Sequence, residues 1–353
     1  MINKVAIGVD RGFGATKYYS DLISGHVDSL VAPIDKSRAL DLIKNNTNDD
    51  SVIIIKDIND NYFLVGSYVA LVEPNYAERD LRRNRDSVNE TILFITGMGL
   101  ATGELEEVEV VVTTGLPTDD FDKLEKSYAT SIVNDHNPYE FTIYRGGKTF
   151  NKSIVVSYAN IENQPKGTVI TTINEKLSNK ETWATLKSQK FGICDIGFNT
   201  TDASMYVGKD IIKGEKNNFS TFAMVQILSS IKKLVEDKFN CKKSEDEILL
   251  AMQTNEVKVK GKIVDCKEEI QQGFEKNADL LVNEISSKWE EYLDTLDEII
   301  LTGGAIENAV FYNLLVGMFK KKTGWDVCKP NKAQYANAFG FYLISSSILQ
   351  KLN

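Results

Sequence analysis

Asp10-Arg11-Gly12-Phe13-Gly14-Ala15-Thr16 and Asp195-Ile196-Gly197-Phe198-Asn199-Thr200-Thr201 carry one pattern, D-x-G-F-x-x-T, twice in the same chain. Each copy follows an apolar run, Val5-Ala6-Ile7-Gly8-Val9 in the first case and Phe191-Gly192-Ile193-Cys194 in the second. Such a run reads as a buried strand, and the glycines after the Asp as the turn that ends it. Matched contexts near the start of each half of the chain indicate internal duplication of one α/β unit.

The chain has 353 residues, enough for about two domains. It is 42% apolar and 26% charged, ordinary for a globular protein, with 6 prolines and no linker-like tract. A net charge of −9 disfavours a broad grip on nucleic-acid phosphates. No apolar run is long enough for a membrane span, and the N-terminus enters a strand without a signal-peptide pattern, so a cytoplasmic location is expected. The four cysteines form no C-x-x-C pair; Cys194 reads as a buried small hydrophobe, not a nucleophile. The two histidines, His26 and His136, have no ligand-spaced partner, and no G-x-x-x-x-G-K-[ST] loop is present.

The first fifty residues read as strands, the third near 26–32, and a hairpin joins Val52–Ile55 to Tyr62–Val65. A helical pattern runs from Arg79 to about Gly103, then a buried strand from Glu109 to Thr113 and a helix opening at Thr118. Strands at 139–157, a helix at 165–178 and strands at 191–195 and 200–206 follow. Helices are expected at 222–239, 244–252, 266–294, 306–320 and 333–351, with one hairpin turning at Lys260-Gly261. Strands mixed with helices in this way make an α/β protein.

An Asp at a strand end followed by a glycine turn suits a magnesium-bound phosphate. Glycine lets backbone N–H groups approach an anion, and magnesium is held through one or two carboxylates plus phosphate oxygens. Asp10 and Asp195 are the metal-side candidates, and they are expected to point into one shared space. Lys17 extends the first turn as a point charge, whereas Asp202 follows the second. A third element, the strand Asp297–Leu301 with Thr302-Gly303-Gly304-Ala305 after it, brings backbone close to a ligand ahead of a helix that carries Glu307.

D-x-G-F-x-x-T-K from Asp10, T-G-L-P at 114–117, D-x-G-x-x-T-x-D at 195–202, T-G-G-A at 302–305 and A-N-A-F-G-F-Y at 336–342 together resemble the actin superfamily. Within it, the chain looks most like the bacterial ParM-like proteins that segregate plasmids. The resemblance implies an actin-like (ribonuclease H-like) α/β fold: two duplicated α/β domains flanking a nucleotide cleft, each with a smaller inserted subdomain. Domain I would take 1–164 plus 330–353, with an insert at about 33–105; domain II would take 165–329, with an insert at about 222–294. It also implies ATP (GTP being the alternative) and Mg2+ as cofactors. ATP hydrolysis would be activated by self-polymerisation, with a small DNA-binding adaptor joining the filament to plasmid DNA.

Residue by residue, Asp10 resembles the first phosphate-loop Asp, with Gly12, Phe13, Gly14, Ala15, Thr16 and Lys17 around the β-phosphate. Asp195 with Gly197, Phe198, Asn199, Thr200 and Thr201 resembles the second loop, Asp195 lying near metal and attacking water. Gly303, Gly304, Ala305 and Glu307 resemble the adenosine loop. Gln164 falls where the family orients its water, and Glu162 is the rival. Lys232 and Lys233 are expected to border the adenine.

Arg11 departs from the small or apolar residue usual after the first Asp, and is expected to face out of the cleft or meet a phosphate. Gly97-Met98-Gly99-Leu100-Ala101-Thr102 approaches a dinucleotide fingerprint but continues a helical pattern, so packing is expected there. Arg79, Arg82, Arg83 and Arg85 form a basic cluster, either a solvated face or a contact with an acidic neighbour. The competing function is a non-polymerising superfamily member, a small-molecule kinase or chaperone-type ATPase; no acceptor pocket for a kinase is visible in the sequence.

Overall fold

The computed structural model describes residues 3–76 and 87–352. The chain divides into two compact units, one of Met1–Thr171 with Tyr335–Asn353 and one of Thr172–Gln334.

The first unit runs β1 (Asn3–Arg11), β2 (Ala15–Tyr19), β3 (Ser24–Asp28), β4 (Val31–Ile34), α1 (Lys36–Asn45), β5 (Ile53–Asp57), β6 (Tyr62–Val65), α2 (Tyr68–Val72) and α3 (Val88–Ala101). It continues through β7 (Glu107–Leu116), α4 (Thr118–Val133), β8 (Tyr139–Arg145), β9 (Lys148–Asn163) and the start of α5 (Pro165–Ser178). Among the described residues, its nine strands form one sheet in the order β3-β2-β1-β7-β9-β8-β5-β6-β4. β1 is parallel to β7, and β7 to β9, whereas β1 and β2 form an antiparallel hairpin. β1 is buried continuously from Val5 to Arg11, as expected where helices cover both faces of a parallel sheet.

Two sequence expectations are corrected in this unit. The strand expected near 26–32 breaks at Ser29–Leu30 into β3 and β4, which pair with different neighbours, β2 and β6. The first fifty residues also hold a helix, α1, capped where Asp35 Oδ1 accepts from the Arg38 N–H at 2.8 Å. α3 starts after a Ser87 cap, and Arg79, Arg82, Arg83 and Arg85 lie outside the described residues. Gly97 and Gly99 are packing positions within α3. A Cβ on Gly99 would come 2.8 Å from side-chain atoms of Ile143 and Phe141.

The second unit takes the rest of α5, then α6 (Trp183–Leu186), β10 (Lys190–Ile196), β11 (Thr201–Val207), β12 (Asp210–Ile211), β13 (Asn218–Thr221), α7 (Met224–Phe239) and α8 (Glu245–Thr254). β14 (Glu256–Val259), β15 (Lys262–Asp265), α9 (Lys267–Lys288), β16 (Glu298–Thr302), α10 (Ala309–Thr323) and β17 (Asp326–Cys328) complete it. The chain then returns to the first unit as α11 (Ala336–Leu352). Lys260 and Gly261, at φ 49° and 82°, turn the β14–β15 hairpin in the left-handed conformation that a two-residue turn requires.

The main sheet of this unit has the order β12-β11-β10-β16-β17, with β13 also on β11. Strand for strand it repeats β3-β2-β1-β7-β9: a hairpin, then two parallel neighbours reached through helices. Both units are therefore the same α/β motif elaborated differently. α7, α8, α9 and the β14–β15 hairpin form the second unit's elaboration.

Candidate functional site

The two repeated turns have one geometry. In the first, Gly12 N–H donates to Ala15 O at 3.0 Å; in the second, Gly197 N–H donates to Thr200 O at 3.0 Å. A Cβ would sit 2.7 Å from Ala15 O in the first and 2.9 Å from Thr200 O in the second, so each turn closes only around glycine. Their cross-strand registers match as well: Asp10 opposes Lys17, and Asp195 opposes Asp202.

Around the first turn, both Asp10 oxygens are engaged. Lys17 Nζ is 3.1 Å from Oδ2, and Gln164 Nε2 donates to Oδ1 at 3.0 Å. Gln164 follows β9 directly, with Pro165 opening α5 in the position where a missing N–H costs nothing. The Thr-Gly of T-G-L-P makes room for it: a Cβ on Gly115 would lie 3.0 Å from Gln164 Cα and 2.7 Å from Phe341 Cζ. Glu162 instead accepts from Asn160 Nδ2 on its own strand at 3.1 Å. Ser29, which no motif marked, braces the turn from behind: its hydroxyl donates to Gly12 O at 2.7 Å and lies 3.3 Å from Thr16 Oγ1. Its own N–H reaches Gly14 O at 3.1 Å, and Phe13 is half-buried at the tip.

Arg11 is corrected. It does not face outward; its side chain is 2% exposed and pairs with Glu90 at 3.0 Å.

In the second turn, Asp195 and Asp202 are both buried. Asp202 accepts from Ser220 Oγ at 2.6 Å and from Thr200 Oγ1 at 3.3 Å, while Thr201 Oγ1 donates to Phe222 O at 2.7 Å. The N-terminus of α7 is tied to the turn, Val225 N–H donating to Phe198 O at 2.8 Å. Asn199 is half-buried beside it. Cys194 is fully buried in β10, and burial pushes its thiol pKa up, away from nucleophilic use.

Gly303 meets this turn directly. Asp195 pairs in register with Thr302, and Gly303 takes φ 94°, where a Cβ would stand 2.6 Å from Asp195 Oδ1 and 2.4 Å from Ile196 O. Gly304 faces open space and borders a cavity of about 490 Å³ within this unit. Ala305 and Glu307 line it too, together with Lys267, Gln271 and Asn255, which the sequence did not single out. Glu307 Oε1 also accepts from Gln334 N–H at 3.1 Å. Lys232 and Lys233 are not brought to this cavity. They lie eight and nine residues into α7 from Met224, about 12 Å along the axis.

Taken separately, each unit offers hard oxygen donors at a strand end and a glycine turn without room for Cβ, chemistry that suits a magnesium-bound phosphate, and the second unit adds a largely apolar cavity with a few polar side chains beside an open glycine. Among the described residues, no cluster of three or more His, Cys, Asp or Glu forms a closed metal cage, and no helix is long and apolar enough to cross a membrane.

Comparison with known families matches residues 8–167 to the actin-like protein N-terminal domain and residues 193–308 to the C-terminal domain of archaeal MreB-like actin homologues. The chain is an actin-superfamily protein. Solved ParM-type and actin-homologue structures share its fold over nearly the whole length. A 15-stranded ParM filament from Clostridium botulinum is 21% identical, with 98% of this chain and 100% of that chain covered, at TM-score 0.78. Actin-like protein Alp7A is 17% identical over 99% and 98%, at TM-score 0.75. The archaeal actin homologue Ta0583 in complex with ADP is 17% identical over 99% and 100%, at TM-score 0.73. A search of curated proteins gave no significant match. Both copies of the repeated turn fall within the matched segments.

Proposed function

We propose that this actin-like protein is of the ParM type, binds Mg-ATP through its two repeated turns, hydrolyses it to ADP and phosphate, and assembles into filaments with copies of itself. The observation that carries this is the turn built twice, with the same 3.0 Å closure and a buried carboxylate at the preceding strand end each time. The ADP complex of Ta0583 and the filament formed by the Clostridium botulinum ParM support the nucleotide and assembly parts respectively.

When bound, Mg-ATP would supply the phosphoryl group to be transferred, and positioning by the protein would carry the rate. Asp10 and Asp195 would hold the metal. The Gly12–Thr16 and Gly197–Thr201 segments would present backbone N–H groups to phosphate oxygens, with Lys17 offsetting their charge. Gln164, fixed by Asp10, would align the attacking water; as a neutral amide it aligns without taking the proton. Gly304, Ala305, Glu307, Lys267 and Gln271 would surround the nucleoside.

The acidic chain would work in the cytoplasm and reach plasmid DNA through a small DNA-binding adaptor, since a net charge of −9 gives no counterion-release grip of its own. The deciding experiment is electron microscopy and light scattering of the purified protein with Mg-ATP, Mg-GTP and no nucleotide, alongside a binding titration. Filaments above a critical concentration with Mg-ATP are expected. Binding and phosphate release without any assembly would instead place the chain with the non-polymerising ATPases, and absence of binding would overturn the nucleotide assignment.

A further inference from the structure

Arg11 stands between Asp10 and Gly12 but serves another face of β1. Nη1 forms an ion pair with Glu90 Oε2 at 3.0 Å and donates a hydrogen bond to the Glu90 main-chain oxygen at 3.1 Å. The guanidinium lies over the rings of Phe94 and Tyr128, at 5.4 and 5.0 Å. Glu90 belongs to the first turn of α3, where its N–H donates to the Ser87 cap at 3.3 Å, and Tyr128 comes from α4. Glu90, Phe94 and Gly97 share one side of α3 by their i, i+4, i+7 spacing. At Gly97 that side presses on the hairpin itself: a Cβ would lie 3.2 Å from Thr16 Cγ2 and 3.3 Å from Val9 Cγ1.

A buried ion pair is poor evidence of stabilisation, because apolar residues of similar volume usually serve as well. What Arg11 adds is geometry. A buried guanidinium that meets two oxygens of one residue through Nη1 and lies over two rings fixes its own backbone, and that backbone is the entry to the Gly12–Ala15 turn. We propose that Arg11 is a positioning residue that locks the Gly12–Ala15 turn to the start of α3, so that order in the turn and order at the helix start are coupled. Its meaning for nucleotide binding rests on the function proposed above; the lock itself does not.

The test is amide hydrogen exchange of the nucleotide-free full chain, comparing wild type with Arg11→Lys, Glu90→Gln and the apolar pair Arg11→Met/Glu90→Met. In the two single variants, exchange at residues 12–16 and 88–91 should accelerate together by about tenfold or more, while β7 and α11 keep their protection. In the apolar pair, the melting temperature should stay near wild type while the turn remains fast. Unchanged protection of the turn in the single variants, uniform acceleration across the unit, or a slow turn in the apolar pair would each overturn the proposal. A parallel ATP titration, in which Glu90→Gln should bind about tenfold more weakly, separates the two claims. Failure of wild type to bind ATP removes the nucleotide function, and the exchange data still decide the lock.

Discussion

Gln164 donates its side-chain amide to Asp10 at 3.0 Å across 154 residues of sequence, while Glu162, two positions earlier, stays with Asn160. On the function proposed above, this contact favours Gln164 over Glu162 as the water-orienting side chain. Gln164→Ala is expected to lower ATP turnover by roughly 10²-fold, with nucleotide affinity changed far less, and Glu162→Ala to leave turnover within about threefold. Gln164→Glu would set carboxylate against carboxylate at Asp10 and weaken nucleotide binding in metal-free buffer. Phosphate-release kinetics with separate binding titrations check this, and a larger turnover loss in Glu162→Ala would reverse the assignment.

Gly303 seals the second turn against Asp195, which makes Asp195→Ala and Gly303→Ala a matched pair. Asp195→Ala should abolish most ATPase activity and keep the fold, since it removes a carboxylate and inserts nothing. Gly303→Ala places a methyl 2.4 Å from a backbone oxygen at φ 94°, so it should cost about 1–3 kcal/mol of stability as well as activity. Circular dichroism melts and phosphate release distinguish them. Full activity in Asp195→Ala would count against the site.

The cavity beside Gly304 separates recognition of the nucleoside from that of the phosphates. Lys267→Ala combined with Gln271→Ala should weaken ATP binding by about tenfold and leave inorganic tripolyphosphate binding unchanged, whereas Lys232→Ala with Lys233→Ala should alter neither. Calorimetric titration of both ligands gives the comparison. An equal loss for both ligands would move Lys267 from the nucleoside to the phosphates.

What the sequence made legible was local and repeated. D-x-G-F-x-x-T appears twice after an apolar run, and both copies fold into the same turn because its closure needs only a glycine and its neighbours three residues on. What stayed hidden was long-range. Ser29 gains its role from meeting a turn that precedes it by more than a dozen residues, with no motif around it. Lys267 and Gln271 become cavity walls only once α9 packs beside the Gly303–Gly304 loop. Glu162 lies within β9 and Gln164 just past its end, so their nearness in sequence leaves both open; the contact that separates them is with Asp10, 154 residues away. Arg11 misled for the opposite reason: a charged residue beside a phosphate turn suggests an exposed or ligand-facing role, yet Glu90, Phe94 and Tyr128 enclose it.

Lys152 gives a prediction independent of nucleotide. Its ammonium donates to Gly103 O at 2.6 Å and to Leu105 O at 2.7 Å, tying the segment after α3 to β9. Burial pushes its pKa down to about 8, against the raising influence of Glu106 and Glu104. An unfolded lysine titrates near 10.5, so between about pH 8 and 10.5 the unfolded chain holds more protons than the folded one, and stability contributed by this site rises with pH. Below pH 8 both states are protonated and the burial penalty is fully present. Lys152→Met lacks the titration, so the stability of wild type relative to Lys152→Met should climb by roughly 2 kcal/mol from pH 7.5 to 10. Urea midpoints of both proteins at the two pH values measure it; surface groups titrate alike in both and cancel. Parallel curves would mean that the two carbonyl contacts hold the ammonium charged throughout.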